Sequence, residues 1–389
     1  MMMRKLFTSE SVSEGHPDKI CDQISDAVLD AHLAKDPNAH VACETLVTTD
    51  FCLLAGEVRS AGEVDYEAVA RNVIREIGYD IPDIGFKYDR NDYQIRIHSQ
   101  SSDITHGVVS NKGAGDQGLM FGFACNETEA LMPFPLQFAH RLLEKLSAVR
   151  RDGTLPWARP DAKSQVTVVY EGNHPVEISE ILMSVHHDEN ADNASMRRDI
   201  LEHVVGPALD CMKPSLPWNR NSFLYNPSGR FAIGGPNGDT GLTGRKIIVD
   251  SYGGAGRHGG GCFSGKDSTK VDRSAAYMAR YIAKNLVAAG VAERCEIQLA
   301  YAIGKADPVS VRLDTFGTEK VSDLGRVEEL VKGIFPLRPY DIIDCLGLRR
   351  PIFRKTASFG HFGRIPGDDG SFSWEKIDRV PDIRRELKL

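Results

Sequence analysis

The chain has 389 residues, 41% of them hydrophobic and 26% charged, which is the composition of a globular protein with two or three domains. The net charge of −7 argues against nucleic acid or an anionic membrane as the main partner, and no apolar run approaches the ~20 residues of a membrane span. The amino terminus lacks the apolar core of a signal peptide and the eight cysteines form no CxxC pair, so we expect a cytoplasmic protein with reduced, mostly buried thiols and no zinc site.

The hydrophobic periodicity predicts one structural unit three times along the chain. Each unit consists of a helix, two strands joined by a short polar turn, and a second helix. In the first unit the helices cover residues 18–35 and 66–77, the strands cover 41–48 and 51–59, and Gly78 ends the second helix.

The second and third units follow the same order. The second has a helix over 127–150, strands over 163–170 and 176–186, and a helix over 193–205. The third has a helix over 271–289, strands over 296–303 and 309–314, and a helix over 324–333. The repeat predicts three related α+β units that pack through their sheets, with coincidence as the alternative because this order of elements is common.

The start of the 127–150 helix carries two conflicting signals. Asn126 and Glu129 have the spacing of a capping box. Pro133 and Pro135 would disturb the first turns that this cap would begin.

A glycine-rich stretch over residues 253–270 predicts a binding site for a phosphate chain. A strand-like run over 246–250 leads into it, and the 271–289 helix leads out of it. Glycine lets backbone N–H groups approach a ligand closely, a helix start adds a positive dipole end, and Lys266 and Lys270 add full charges. A flexible surface loop is the alternative for any such stretch.

The stretch departs from the common nucleotide motifs. Residues 260–266 fit GxxxxGK, but Asp267 stands where a P-loop has the Ser or Thr that holds magnesium. The segments 113–118 and 254–259 match GxGxxG, yet neither runs from a strand directly into a helix as a dinucleotide-binding fold requires. The sequence therefore disfavours both a P-loop and a dinucleotide fold.

The segment Ser13-Glu14-Gly15-His16-Pro17-Asp18-Lys19 opens the first predicted helix. Proline suits the first helical position, which places His16 at the cap and Asp18 in the first turn. A carboxylate there can bind Mg²⁺ and bridge to phosphate, and an imidazole can donate to an oxyanion. The alternative is an ordinary capped surface helix.

Three further places combine charge with strand-like sequence. Arg245 and Lys246 lie where a loop enters the predicted 246–250 strand, so we expect only one of them to face a given ligand. Glu44 and Glu57 lie in apolar strands and therefore need a partner, a cation or an edge position. Asp161 and Lys163 open a strand as a paired acid and base.

Together these segments resemble the S-adenosylmethionine synthetase family, also called methionine adenosyltransferase. Residues 15–19, 113–118 and 259–267 match three family signatures in order, and the resemblance runs from Lys5 to about Gly363. It implies three similar α+β domains with pseudo-threefold symmetry, each a mixed sheet with helices on one face. The implied domains cover 4–102, 114–232 and 233–372, with a lid-like loop over 100–113.

The resemblance also implies the reaction and the partners. In this family the sulfur of L-methionine attacks C5′ of ATP and expels the whole triphosphate chain, which the enzyme then cleaves to pyrophosphate and phosphate. Two Mg²⁺ and one K⁺ serve each site. The family assembles as a homo-oligomer, a dimer or a dimer of dimers, with active sites shared between subunits.

By resemblance, single residues take the following roles. Catalytic roles fall to His16, Lys163, Arg245 and Lys266. The ATP site consists of His16, Asp161, Lys163, Arg230, Phe231, Asp239, Arg245, Lys246, Cys262 and Lys266. Methionine is bound by Glu57, Gln100, Asp239 and Lys270. The metal ligands are Asp18 and Asp272 for Mg²⁺ and Glu44 for K⁺.

The sequence departs from the family pattern at two places. Cys262 stands where the family commonly has alanine, so this position is slightly larger and oxidisable. The segment 100–113 is shorter than in familiar bacterial members, which predicts a lid that closes less completely or gates product release differently.

Three competing functions remain open at this point. The first is another ATP-dependent transferase or kinase that uses the same phosphate site. The second is a non-catalytic regulatory subunit, which predicts missing ligand residues. The third is a nucleic-acid-binding module, which the acidic balance disfavours.

Overall fold

The computed structural model describes residues 4–82, 84–99 and 112–389. In chain order, its strands are β1 (Arg4–Val12), β2 (His40–Thr48), β3 (Phe51–Arg59), β4 (Asp92–Ser99), β5 (Gly118–Cys125), β6 (Ala158–Glu171), β7 (His174–His187), β8 (Phe223–Tyr225), β9 (Gly241–Leu242), β10 (Arg294–Tyr301) and β11 (Ser310–Asp314). Its α-helices are α1 (Pro17–Leu33), α2 (Tyr66–Ile77), α3 (Phe134–Arg151), α4 (Asn193–Ile200), α5 (Gly206–Asp210), α6 (Ile247–Asp250), α7 (Val271–Ala289), α8 (Leu324–Ile334), α9 (Pro339–Leu346) and α10 (Val380–Leu387).

The strands form three sheets that exchange strands between the three repeated units. The sheet orders are β4-β3-β2-β9, β1-β6-β7-β8 and β11-β10-β5. The unit containing β2 and β3 receives β9 from beyond the middle unit, and in turn β1 pairs with β6 of the middle unit. Strand β5 then pairs with β10 of the last unit. Each sheet thus contains strands from more than one of the expected domains. The domain boundaries themselves stay predictions.

Each sheet buries one face against a long helix. Helix α1 packs on β2, α3 packs on β6 and β1, and α7 packs on β5 and β10. The alternation of buried and half-buried residues along β2 shows one face turned to this core and one turned away. The α+β architecture with three similar units is therefore confirmed. In the described part of the chain, every helix is too short or too polar to cross a membrane.

Most predicted elements of the repeat are confirmed within one or two residues at each end. Helices α2 and α7 have the predicted bounds, and β3 begins and ends as predicted. Gly78 ends α2 because its φ of 109° is a left-handed conformation that glycine adopts without a steric cost. The predicted 193–205 helix continues past Ile200 as one π-helical turn over Leu201–Val205.

The prediction of a helix over 127–150 is wrong at its start. The helix begins at Phe134, and Pro133 occupies the cap, so Pro135 falls in the first turn where its missing N–H leaves no hydrogen bond unmade. The chain before it turns through Leu131, whose φ is 57°. Glu127 contributes to the helix from outside, because its carboxylate accepts the Phe134 N–H at 3.0 Å.

The prediction of a strand over 246–250 is also wrong. The run Ile247-Ile248-Val249-Asp250 forms the short helix α6, in which the Asp250 N–H donates to the Lys246 carbonyl at 2.9 Å. The β-branched residues favour a strand. The buried Asp250 carboxylate, however, pairs with the Lys19 ammonium in the core, and this contact decides the local conformation.

Candidate active site

The amino end of α1 holds His16 as a neutral imidazole that accepts a backbone N–H. His16 is the N-cap, and its Nδ1 accepts the Asp18 N–H at 3.1 Å. Burial, reinforced by the Lys246 ammonium, lowers the pKa of His16 to about 3. A neutral ring whose Nδ1 accepts must carry its proton on Nε2. The expected cap is therefore confirmed, and it fixes the tautomer.

Asp18 connects α1 to the segment that follows β9. Lys246 Nζ donates to Asp18 Oδ2 at 2.6 Å, and the Leu242 N–H donates to Oδ1 at 3.0 Å. Burial opposes ionisation, but these two donors outweigh it and hold the pKa of Asp18 below its ordinary value. Arg245 Nη1 lies 3.8 Å from the same carboxylate. Both cations therefore reach one group, and the expectation that only one could do so fails because no strand forms there.

Strand β6 brings two more predicted residues to the same place. Asp161 is buried and accepts the Gly235 N–H at 2.8 Å. Burial raises the pKa of Asp161 to about 6, and the charges of Lys163, Asp239 and Asp18 also act on it. The Lys163 charge acts on His16 as well. We call this assembly the α1 cluster; it consists of His16, Asp18, Asp161, Lys163, Asp239, Arg245 and Lys246.

Arg230 and Phe231 lie just before Gly235 in the chain. The Phe231 ring packs on His186 at a centroid distance of 5.5 Å, and its N–H donates to His187 Nε2 at 2.9 Å. The exposed Arg230 guanidinium pairs with Glu189. The fold therefore orders Phe231 near the α1 cluster and leaves Arg230 paired at the surface.

A second group of predicted residues lines a cavity of about 310 Å³ over β2 and β3. Glu44, Glu57, Cys262 and Lys266 all contribute to its wall, and we call it the β2–β3 cavity. Lys266 Nζ lies 2.6 Å from Asp272 Oδ2. In the described part of the chain, Glu44 and Glu57 form no ion pair, and both are exposed. Two carboxylates and one lysine thus face a space large enough for part of a small ligand.

The glycine-rich stretch gives this cavity its close backbone approaches. Gly265 has a φ of 79°, and a Cβ there would lie 2.0 Å from the Cys43 carbonyl oxygen. A Cβ at Gly261 would lie 2.2 Å from the Asp272 carboxyl carbon. Glycine is required at position 265, where the φ is left-handed and the backbone lies directly against β2, and any side chain at position 261 would displace the carboxylate of the expected metal ligand Asp272.

Asp267 has a structural role that the sequence motif did not suggest. Its Oδ2 accepts the Val41 N–H at 2.7 Å at the start of β2, and it also pairs with Lys270. Burial opposes ionisation, but Lys270 and other donors hold the pKa of Asp267 below its ordinary value. The Lys270 ammonium is thus committed to Asp267 and does not line the cavity, so its methionine role stays a prediction.

The two groups meet at Gly244 and Cys262. Gly244 has a φ of 79°, and a Cβ there would lie 2.6 Å from Cys262 Cβ. Burial raises the pKa of the Cys262 thiol, which disfavours the reactive thiolate. Gln100 and most of the lid-like loop over 100–113 lie outside the described residues.

The carboxylates of this site suit Mg²⁺ that is held jointly with a phosphate ligand. Among residues 4–82, 84–99 and 112–389, no three His, Cys, Asp or Glu side chains converge to hold a metal. Asp18 is paired with Lys246, and Asp272 with Lys266. Mg²⁺ is commonly held by one or two carboxylates plus substrate phosphates rather than by a protein cage. Two single carboxylates beside lysines match that pattern.

Sequence reasoning missed the buried polar residues of α1 that hold these segments. Lys19 lies between Asp22 and Asp250, with Lys19 Nζ 2.9 Å from Asp22 Oδ2. Asp22 and Asp26 accept backbone N–H groups of Gly244 and Gly265, each at 2.9 Å. The available signal was the recurrence of aspartate at every fourth position of a helix that is otherwise largely apolar.

Comparison with known proteins identifies the family of this chain. Family models for the N-terminal, central and C-terminal domains of S-adenosylmethionine synthetase match residues 4–102, 111–231 and 233–376. The S-adenosylmethionine synthase of Clostridium botulinum (strain Alaska E43 / Type E3) is 53% identical over 398 residues, which cover 99% of this chain and 100% of that protein. The chain therefore belongs to the S-adenosylmethionine synthetase family, whose members form S-adenosylmethionine from ATP and L-methionine.

Proposed function

We propose that this chain carries out the family reaction by direct attack of methionine sulfur on C5′ of ATP, with tripolyphosphate as the leaving group. The observation that carries the proposal is the convergence at the amino end of α1. Lys246 bonds to Asp18 across 228 residues of chain, beside the neutral His16. A phosphate chain bound there would meet a helix start and several cations.

The attacking thioether carries no proton, so the reaction needs no general base. The barrier is then lowered by positioning and by stabilising the negative charge that develops on the leaving oxygen. One cation at ~4 Å contributes on the order of 4 kcal/mol at an effective dielectric near 20. We assign this stabilisation to Lys163, Arg245, Lys246 and Lys266, with His16 Nε2–H as the neutral donor near the breaking bond.

The same cations would keep tripolyphosphate bound after transfer. We propose that it is hydrolysed in place to pyrophosphate and phosphate before release. Asp161, Arg230, Phe231, Asp239 and Cys262 complete the proposed ATP site. The close packing of Cys262 on Gly244 supports a role in shaping its wall.

Methionine would bind at the β2–β3 cavity. The exposed Glu57 carboxylate suits the substrate ammonium, and Asp239 and Gln100 are the further proposed contacts. Lys270 is proposed for the substrate carboxylate, which requires it to leave or share Asp267.

We propose two Mg²⁺ and one K⁺ per site. Asp18 and Asp272 would each hold one Mg²⁺ together with phosphate oxygens, and Glu44 would hold K⁺ at the cavity wall. Bound there, these ions would neutralise phosphate charge and strengthen the leaving group. The lysines that now pair with Asp18 and Asp272 would then be available to the phosphate chain.

We propose a homo-oligomer, a dimer or a dimer of dimers, with active sites completed between subunits. The outward faces of the sheets carry large apolar residues, among them Leu6, Leu119 and Leu224, which are 65%, 44% and 38% exposed. Analytical ultracentrifugation tests this directly, and a monomer that is fully active would contradict it.

We further propose a cytoplasmic location. Five free cysteines are buried: Cys21, Cys43, Cys52, Cys125 and Cys295. Reduced, buried thiols are typical of a reducing compartment.

The deciding experiment incubates the purified chain with ATP, L-methionine, Mg²⁺ and K⁺. We expect S-adenosylmethionine, pyrophosphate and phosphate in equal amounts, and loss of activity with a chelator. Formation of ADP or AMP without sulfonium product would instead identify another ATP-dependent transferase that uses the same phosphate site.

A further inference from the structure

Helix α1 carries four aspartates at four-residue spacing: Asp18, Asp22, Asp26 and Asp30. We call this row the aspartate ladder. Residues four apart lie on one face of a helix, so the four carboxylates form a single stripe. Like charges at this spacing repel, and aspartate is a weak helix former. The stripe therefore needs compensating donors from outside the helix.

Each of these aspartates accepts one or two backbone N–H groups from the region 242–354. Asp18 accepts from Leu242 at 3.0 Å and Asp22 accepts from Gly244 at 2.9 Å. Asp26 accepts from Gly265 at 2.9 Å. Asp30 accepts from Phe353 at 2.9 Å and from Arg354 at 2.8 Å.

The two middle rungs hold the two cation-bearing segments. Gly244 immediately precedes Arg245 and Lys246, and Gly265 immediately precedes Lys266. The Gly265–Lys266 segment is attached to Asp26 in two ways, directly through the Gly265 N–H and indirectly through Arg273. Arg273 forms a bidentate pair with Asp26 at 2.6 and 2.8 Å and donates to the Lys266 carbonyl at 3.1 Å. Asp22 and Asp26 are fully buried.

We propose that Asp22 and Asp26 are positioning residues for the reaction: they fix the two phosphate-binding segments on the helix that presents His16. This inference rests on the proposed function, since it assumes that those segments hold the leaving group. The side chains of Asp22 and Asp26 do not line the β2–β3 cavity, and neither is among the residues proposed to bind the phosphate chain. A displacement of about 1 Å at a reacting centre can cost about 10²-fold in rate, so rigid attachment has a kinetic consequence.

Asp30, the fourth aspartate of the ladder, supplies a control variant. Asp30 makes the same kind of contact on the same helix, but it holds residues 353–354, which carry none of the proposed ligands. Burial raises the pKa of Asp30 to about 7, so the conversion to asparagine is a small change there. All three variants replace one carboxylate oxygen by an amide NH₂ group, and only D22N and D26N act on segments of the proposed site. D22N and D26N in addition weaken the buried ion pairs with Lys19 and Arg273.

The test compares D22N, D26N and D30N in the full chain under ATP and methionine saturation. We expect D22N and D26N to lower kcat at least about tenfold with smaller changes in either KM, because the additional negative charge on the leaving oxygen develops in the transition state. We expect them also to weaken binding of inorganic tripolyphosphate by calorimetry. D30N should lower the melting temperature and leave kcat within about twofold of the wild type, in line with a contact that acts on stability alone.

Two results would overturn the proposal: folded D22N and D26N with wild-type kcat, or an equal loss of kcat in D30N. If D22N or D26N does not fold, D22E or D26E replaces it, because glutamate keeps the negative charge beside Lys19 or Arg273 and displaces the acceptor of the Gly244 or Gly265 N–H by one methylene. Folded D22E and D26E with unchanged kcat and tripolyphosphate affinity would then refute the proposal. A wild type that forms no S-adenosylmethionine would refute the proposed function, whereas the tripolyphosphate titrations would still test the ladder.

Discussion

The α1 cluster and the β2–β3 cavity differ in how far they are assembled before substrate arrives. In the α1 cluster the key carboxylates are buried and already bonded, Asp18 to Lys246 and Asp161 to the Gly235 N–H. In the cavity, Glu44 and Glu57 are exposed and form no ion pair within the described residues. The α1 cluster, the proposed phosphate site, is thus preorganised, whereas the β2–β3 cavity, the proposed methionine site, has carboxylates without ionic partners among the described residues.

This contrast follows from the cost of burying charge. A buried carboxylate must have donors in the folded protein, whereas an exposed one stays solvated by water until an ammonium or a metal ion binds. Preorganised donors also lower a barrier most, since they need no rearrangement as charge develops. Substitutions in the two regions should therefore act on different kinetic parameters.

The largest effect is expected from K266A. Lys266 lines the β2–β3 cavity and is also one of the cations proposed to bind the phosphate chain. Removing this cation should lower kcat by about 10²–10³-fold, as loss of a main donor to a developing charge does. Steady-state kinetics of S-adenosylmethionine formation measures it. The control is K332A, an exposed lysine paired with Glu329, which should leave kcat unchanged. An active K266A enzyme would remove Lys266 from the mechanism.

The next effect is expected from H16N. Asparagine can still cap α1, so the helix start is kept while the imidazole donor is lost. We expect kcat to fall by roughly 10²-fold with little change in melting temperature. Because the pKa of His16 lies at about 3, the wild-type kcat should show no step from this group between pH 5 and 8. Equal kcat for H16N and wild type would assign the donor role elsewhere.

A smaller effect is expected from E57Q, which tests the β2–β3 cavity. Loss of one charge-assisted hydrogen bond costs about 1.5–3 kcal/mol, so KM for methionine should rise roughly 10–100-fold while KM for ATP stays nearly constant. E63Q, at an exposed position outside the cavity, is the control. A parallel rise in both KM values would show that Glu57 acts on the whole site rather than on methionine.

The smallest effect is expected from D161N, and it depends on pH. Folding raises the pKa of Asp161 from 3.8 to about 6, so its contribution to stability is present below pH 3.8 and is lost as the pH rises through about 6. Asparagine does not ionise, so D161N does not lose this stability as the pH rises. D161N should therefore gain about 1–3 kcal/mol over wild type in unfolding free energy at pH 8, and less at pH 5.

Urea denaturation at both pH values measures this difference. The exposed Asp80 provides the control variant D80N, which should show no such dependence on pH. If the stability difference between D161N and wild type is the same at pH 5 and 8, ionisation of Asp161 does not carry a folding cost.

The repeated units and their main elements could be predicted from periodicity because each long helix and hairpin buries one face. The bounds of α2 and α7 follow from local signals, such as Gly78 after α2 and Gly290 after α7. The cap at His16 also follows from local chemistry, since proline at the next position fixes the helix start.

The sequence alone determined the family, the repeat and the types of residue at the site, because motifs and periodicity are properties of neighbouring residues. Only the tertiary structure decided what depends on distant contacts. The pairing of Asp250 with Lys19 turned a β-branched run into α6, and Asp267 became a tether for β2. Pairing between residues far apart in the chain also places β1, β5 and β9 in the sheets of other units. In the same way, Asp22 and Asp26 of the aspartate ladder bind the N–H groups of Gly244 and Gly265.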